Sequence, residues 1–199
     1  MGELFFTGDL HLEHDKEFLY KPRGFDNIDD HDETIIKNWN ELVSLDDEVI
    51  VVGDIMMGPN RTRGLEKLNR LNGKIIIYRG NHDTDTKIDD YAKHCPNVHI
   101  GGDRHQIYSD VIKVGKWRFY LCHWPTILGD FNFVKPNHRH FSLHGHTHSK
   151  DKFQFLQYCC YNVSLDAHNN RPVNVKQIQN DLIVEIQKMI ERNKDKSRA

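Results

Sequence analysis

Three apolar runs of strand length each end at a glycine followed at once by a side chain able to bind a metal or carry a proton. Leu4–Thr7 leads into Gly8-Asp9, residues 49–52 into Gly53-Asp54, and residues 75–78, through Arg79, into Gly80-Asn81-His82. The runs are nearly continuous in apolar residues, the pattern of strands covered on both faces. Helical patterns lie between them. Asp29 or Asp32 is placed to cap a helix carrying Ile35, Ile36, Trp39, Leu42 and Val43 on one side. Residues 61–71 repeat Leu65, Leu68 and Leu71 at helical spacing, with Gly73 just past the end. Strand–helix–strand alternation predicts βαβ units with right-handed crossovers, and sites in such sheets form beyond the carboxyl ends of the strands.

The second half changes pattern. Residues 107–114 and 116–121 flank Gly115 and predict a hairpin. Residues 141–143 and 159–163 are further strand candidates, so the sheet system is expected to be mixed. From Val175 onward, Ile178, Leu182, Ile183, Ile186, Met189 and Ile190 continue one apolar stripe. They predict a C-terminal helix packed on the domain, with a polar tail over residues 193–199. The expected division is a domain over residues 1–175, with the helix and tail of residues 176–199 belonging to it. The 199 residues suffice for one full core. Monomer and homodimer both stay open.

With 27 basic and 29 acidic residues the formal net charge is −2. That gives no general electrostatic case for coating nucleic acid or a membrane surface. No apolar run approaches the roughly 18 residues that span a bilayer, and no leader pattern is visible. The expectation is a cytoplasmic protein without a membrane partner. Cys95, Cys122, Cys159 and Cys160 form no C-x-x-C pair and are expected as free thiols.

The outlying count is 14 histidines. Five segments place Asp, Asn or His just after an apolar run: Asp9 with His11, Asp54, Asn81 with His82, His123, and His146 with His148. Glycine precedes four of them, at Gly8, Gly53, Gly80 and Gly145, where it permits a sharp exit and close backbone approach. In an extended segment residues i and i+2 point to one side, so each pair can reach one ion or two neighbouring ions. Carboxylate, imidazole and amide donors suit Mn, Fe, Zn or Ni better than Ca or Mg, and argue against a Cys-rich structural zinc site. Seven ligands exceed one tetrahedral ion but suit two ions sharing a bridging carboxylate, a standard device of phosphoryl chemistry.

The ordered blocks D-x-H, G-D, G-N-H-D, a lone His and G-H-x-H resemble the calcineurin-like metallophosphoesterase superfamily. The flanking text Asp9-Leu10-His11-Leu12-Glu13-His14 and residues 162–172 resemble its small single-domain bacterial and phage members. The likeness spans residues 9–148 and leaves the C-terminal helix outside. It implies an α/β class fold, a four-layer β-sandwich of mixed sheets flanked by helices. It also implies two divalent metal ions, manganese first among them. Asp9, His11 and His148 would hold one, Asp54 would bridge, and Asn81, His123 and His146 would complete the second. Attack on phosphorus by a hydroxide shared between the ions would be assisted by His82 as general acid. Asp83 is a candidate to orient His82. Arg23, as a phosphate clamp, together with Asn81 and His14 are candidates to touch substrate. His105 is a further candidate for the mouth, and Trp124 for shaping the pocket.

One departure bears on substrate. Gly53-Asp54-Ile55-Met56-Met57-Gly58 lacks the Asp and Arg of the phosphoprotein phosphatase form G-D-x-x-D-R-G, which disfavours protein phosphatase activity. The expected substrate is a small phosphodiester, either a nucleotide or a nucleic-acid end, with nucleic acid entering only as substrate. A phosphomonoesterase and a catalytically inactive protein-binding scaffold are the alternatives.

Overall fold

The three apolar runs lie side by side. The computed structural model describes residues 2–102, 108–127 and 139–196. In it β1 (Leu4–Thr7), β2 (Glu48–Val51) and β3 (Lys74–Ile77) run parallel, with Phe5 opposite Val49 and Val49 opposite Ile75. β4 (Val98–Ile100) adds a parallel strand beyond β3, and β9 (Val173–Asn174) pairs antiparallel with β1 at the other edge. The second sheet contains β5 (Ser109–Val114), β6 (Trp117–Cys122), β7 (Arg139–His144) and β8 (Cys160–Asn162) in that order. β5 and β6 form the predicted antiparallel hairpin about Gly115, at φ 60°, while β6, β7 and β8 are parallel.

Alternation along the first-sheet strands divides two cores. Phe5, Val49, Val51, Ile75 and Ile77 face a helical layer and pack with Ile35, Trp39, Leu68, Ile88 and Tyr91. Phe6, Ile50, Val52 and Tyr78 face the second sheet and pack with Phe119, Leu121, Phe141, Leu143 and Tyr161. Successive strand side chains point to opposite faces, and both faces here are apolar, which is why the runs are unbroken. The fold is thus a sandwich of two mixed sheets flanked by helices, as expected.

The helical layer comprises α1 (Glu17–Tyr20), α2 (Ile28–Leu42), α3 (Arg61–Leu68) and α4 (Asp85–His94). Neither predicted carboxylate caps α2. Asn27 does, accepting from Asp30 N at 2.9 Å, and Asp32 instead lies buried inside the helix. α3 stops at Leu68, three residues short of its predicted end. α5 (Val175–Lys196) buries Ile178 and Leu182 in the second core, with Ile183, Ile186 and Met189 partly buried against it. All four cysteines are buried free thiols. Among the described residues no helix is long and apolar enough to cross a membrane.

Candidate metal centre

The ends of β1, β2, β3, β6 and β7 meet at one rim. Asp9 N donates to Gly53 O and His11 N to Asp54 O, each at 3.0 Å, which zips the loops after β1 and β2 together. Gly145 N donates to His123 O at 3.0 Å and joins the loops after β6 and β7. The ligand pairs are not extended, which corrects the sequence reading. Asp9, His11, Asp54, His146 and His148 all have positive φ, between 49° and 67°. Each such conformation costs on the order of 1 kcal/mol or more and persists only where its surroundings over-determine it. Here Leu10 and Leu12 flank His11 and are fully buried, so the apolar side chains anchor the loop while Asp9 and His11 turn into the site.

All seven predicted ligands converge. Donor atoms of Asp9, His11 and His148 lie within 4.8 Å of one another, and so do those of Asp9, Asp54 and His123. Asp9 therefore reaches both groups, a sharing the sequence did not indicate. Asp54 Oδ2 lies 3.6 Å from His11 Nε2 and 3.4 Å from His123 Nε2. Asn81 Oδ1 stands 2.8 Å from His123 Nε2 and 2.9 Å from His146 Nδ1. Glycine makes room: a Cβ at Gly145 would sit 2.1 Å from Asp9 Oδ2, and one at Gly80 2.2 Å from Asp54 Oδ1.

The electrostatics fit divalent cations. Burial pushes the Asp9 carboxyl up to about 6 and holds His11 well below the usual imidazole range. Both ring nitrogens of His11 are buried without a hydrogen-bond partner among the described residues. Leaving such groups unmatched is costly, and a cation matches an imidazole lone pair. For His123, burial opposes charge, but the Asp54 carboxylate prevails and raises it to about 9. Asp54 is correspondingly depressed to about 2: burial resists, while His123 and the His82 backbone N–H favour the anion.

A charged network beneath the first group was not legible as such in the sequence. His148 Nδ1 lies 3.1 Å from Asp166 Oδ2 and so donates there, leaving Nε2 toward Asp9. Arg23 clamps the same carboxylate, with Nε to Oδ1 at 3.0 Å and Nη2 to Oδ2 at 2.7 Å. Its Nη2 also donates to Asp9 O at 2.8 Å, and its Nη1 lies 3.0 Å from His31 Nε2. His31 Nδ1 meets Asp32 Oδ1 at 2.7 Å, and Asp32 Oδ2 accepts from Lys67 at 2.7 Å. Lys67 also pairs with Glu13.

Two expected roles are therefore corrected. Arg23 is no phosphate clamp, because its buried guanidinium is spent on Asp166, Asp9, Leu10 and His31. Asp83 does not orient His82. Its buried carboxylate accepts from the backbone N–H groups of Asp54, Ile55 and Gly80 and from the Tyr91 hydroxyl. His82 is 41% exposed, with Nε2 4.0 Å from Asp54 Oδ2. Its backbone is pinned by Asp54 Oδ1 and by Lys87, which donates to His82 O at 2.8 Å. His14 stands at the mouth, its ring 5.3 Å from that of His11. His105 lies outside the described residues.

Known proteins resemble this chain in sequence and in fold. The chain is 30% identical to the Methanocaldococcus jannaschii protein MJ1445 over 98% of its own length and 94% of that protein's. It is 27% identical to the gene 66 protein of Mycobacterium phage L5, covering 75% of this chain and 79% of that protein. The Aquifex aeolicus protein AQ665 superposes with a TM-score of 0.66 at 18% identity, covering 90% of this chain and 99% of that one, and so shares the fold. The family model for calcineurin-like phosphoesterases matches residues 3–196, which carries the likeness through the C-terminal helix that the motifs alone left out. With all five ligand blocks brought to one rim of the sandwich, the chain belongs to the calcineurin-like phosphoesterase family.

Proposed function

We propose that this protein hydrolyses phosphoesters with two divalent cations held at the rim, and that it prefers phosphodiesters, either small nucleotides or nucleic-acid ends. The observation that carries the reading is the place of Asp54. Its Oδ2 faces His11 of one ligand group and His123 of the other, with the half-exposed His82 ring 4.0 Å away. The mixed nitrogen and oxygen donors make manganese the ion to test first, with iron, zinc and nickel after it.

Cations bound there would lower the pKa of bound water toward neutrality and offset charge on the phosphate oxygens. The protein's own groups do the rest. Asp9 and Asp54 supply negative charge in a buried setting, and Asn81 offers an amide oxygen. His82 presents Nε2 from a pinned backbone, where it can give a proton to the departing oxygen. Charge favours the diester. A monoester dianion calls for an additional cationic clamp, whereas Arg23 is consumed inward and the D-R-G extension is missing.

The test is Mn²⁺-dependent hydrolysis of bis-p-nitrophenyl phosphate beside p-nitrophenyl phosphate, with wild type and His82→Ala. Diester turnover should dominate, and the variant should lose roughly 10²- to 10⁴-fold in kcat while binding the same metal. A monoester preference would reverse the substrate class. Absence of turnover on both with two ions bound would leave a narrowly specific enzyme or a protein-binding scaffold, which a screen of nucleotide substrates then separates.

A further inference from the structure

The mouth of the site carries aromatic surface that hydrolysis itself does not use. The Trp124 ring stands 5.3 Å from the His123 imidazole and 6.1 Å from that of His146, yet it is 36% exposed. Tyr108, 38% exposed, meets Trp124 edge to face at 6.3 Å and 76°. The Arg79 guanidinium carbon lies 5.1 Å from the Tyr108 ring centroid, and Arg79 is ion-paired with Asp85. Of the hairpin's other large rings, Trp117 and Phe119 are buried between the sheets, while Tyr120 is partly buried and, among the described residues, no ring contact joins it to the site's imidazoles. Packing therefore explains Trp117 and Phe119 and leaves the exposed pair beside the His123 and His146 imidazoles to be explained.

We propose that Trp124, Tyr108 and Arg79 form a nucleobase-stacking subsite of this centre, so that the group it selects on the phosphate is a nucleoside. The inference rests on the phosphoester reading above and narrows its substrate class. The Trp124 ring is the aromatic face next to His123 and His146, so a base carried on a phosphoester bound at that side of the centre would meet it. Every base has a π-face to stack there, so the subsite discriminates nucleosides from sugars and alkyl groups more than one base from another. Arg79 adds a cation beside Tyr108, which strengthens the platform for a planar, polar ring. The net charge of −2 and the small size of the platform fit a single nucleotide or a strand end better than a long nucleic-acid track.

The test compares ligands that differ only in the base. Dissociation constants of AMP, ribose 5-phosphate and inorganic phosphate are measured by calorimetry on the full-length, Mn²⁺-loaded protein. Wild type, Trp124→Ala, Trp124→Phe and Tyr108→Ala are compared. AMP should bind about 10- to 100-fold more tightly than ribose 5-phosphate. Trp124→Ala should shrink that ratio to within about threefold, Tyr108→Ala should reduce it in part, and Trp124→Phe should keep most of it. Inorganic phosphate binding with equal affinities for AMP and ribose 5-phosphate would overturn the subsite and leave the hydrolase reading standing. An AMP preference that survives both alanine variants would overturn it as well. Failure of all three ligands to bind while hydrolysis of bis-p-nitrophenyl phosphate persists would overturn the subsite alone, and loss of that turnover as well would remove the phosphoester reading with it.

Discussion

The two halves of the ligand set are held by different forces. In the first, His148 donates to an ionised carboxylate, Asp166, which is itself clamped by Arg23. The chain continues inward through His31 and Asp32 to Lys67, all buried. In the second, His123 is fixed by a neutral partner, donating from Nδ1 to Val52 O at 2.8 Å, and His146 meets the Asn81 amide. Charge-assisted bonds are roughly twice as strong as neutral ones, and a carboxylate behind an imidazole makes it a better donor to a metal. On the proposed function, the first half is the side expected to hold its ion more tightly, and the proposed stacking subsite puts the second half, next to exposed Trp124, on the substrate's side.

The severest way to break this picture is to move a carboxylate. A methyl at Gly145 would press on Asp9 Oδ2 at 2.1 Å, and one at Gly80 on Asp54 N at 2.6 Å as well as on Oδ1. Asp9 belongs to both ligand groups and Asp54 faces both. Gly145→Ala and Gly80→Ala should therefore each deplete both ions and lower diester turnover by about 10²-fold or more, as expected for a displacement near 1 Å. Bound metal per chain is the direct readout. Full metal content and normal turnover in Gly145→Ala would mean that the first half is not anchored on Asp9.

A finer cut separates the halves. Asp166→Asn keeps the shape but removes the anion, so His148 loses its charged partner and Arg23 its counter-charge. One ion should bind about 10- to 100-fold more weakly, while the other stays within about threefold. Arg23→Lys, which keeps charge but not the two-pronged fork, should reproduce much of that loss. A two-site Mn²⁺ titration reads both. Equal weakening at the two sites would erase the proposed difference between charged and neutral bracing.

How much of this could be read beforehand follows from what local sequence records. Asp9, His11, Asp54, Asn81, His123, His146 and His148 announced themselves because strand ends place them and glycine precedes four of their five segments. The first sheet's core strands were visible as apolar runs, whereas β4 and β9, with three and two residues, are too short to show a period. Asp166 stands 18 residues after His148, and only the folded chain joins them. His31-Asp32 did leave a trace. The pair shares the buried side of α2 with Ile35, Ile36 and Trp39, and two ionisable groups on an apolar stripe signal a buried partner. Asp83 misled through adjacency. Neighbouring residues in a tight turn point apart, and its carboxylate turned inward to backbone N–H groups.

The smallest effect probes the platform under the first half. Asp166 rides on the short 3₁₀ helix Leu165–His168, whose last residue donates from Nε2 to Asn162 O at 2.9 Å. Burial lowers the His168 pKa to about 4, against a hydrogen bond that partly restores it. The unfolded chain therefore takes up this proton more readily than the folded one. The stability it contributes is complete above about pH 6.5 and is lost as pH falls toward about 4. By about pH 5.5 the loss from this ring should be on the order of 1 kcal/mol, or roughly 2–4 °C in Tm for a chain of this size. His168→Gln keeps a donor for Asn162 O but cannot titrate, so melts of the metal-free protein at about pH 7.5 and pH 5.5 should differ by that much less than in wild type. Coincident pH slopes would show that the platform does not depend on a neutral His168. The bracing of the first half would then reduce to the Arg23–Asp166 pair alone.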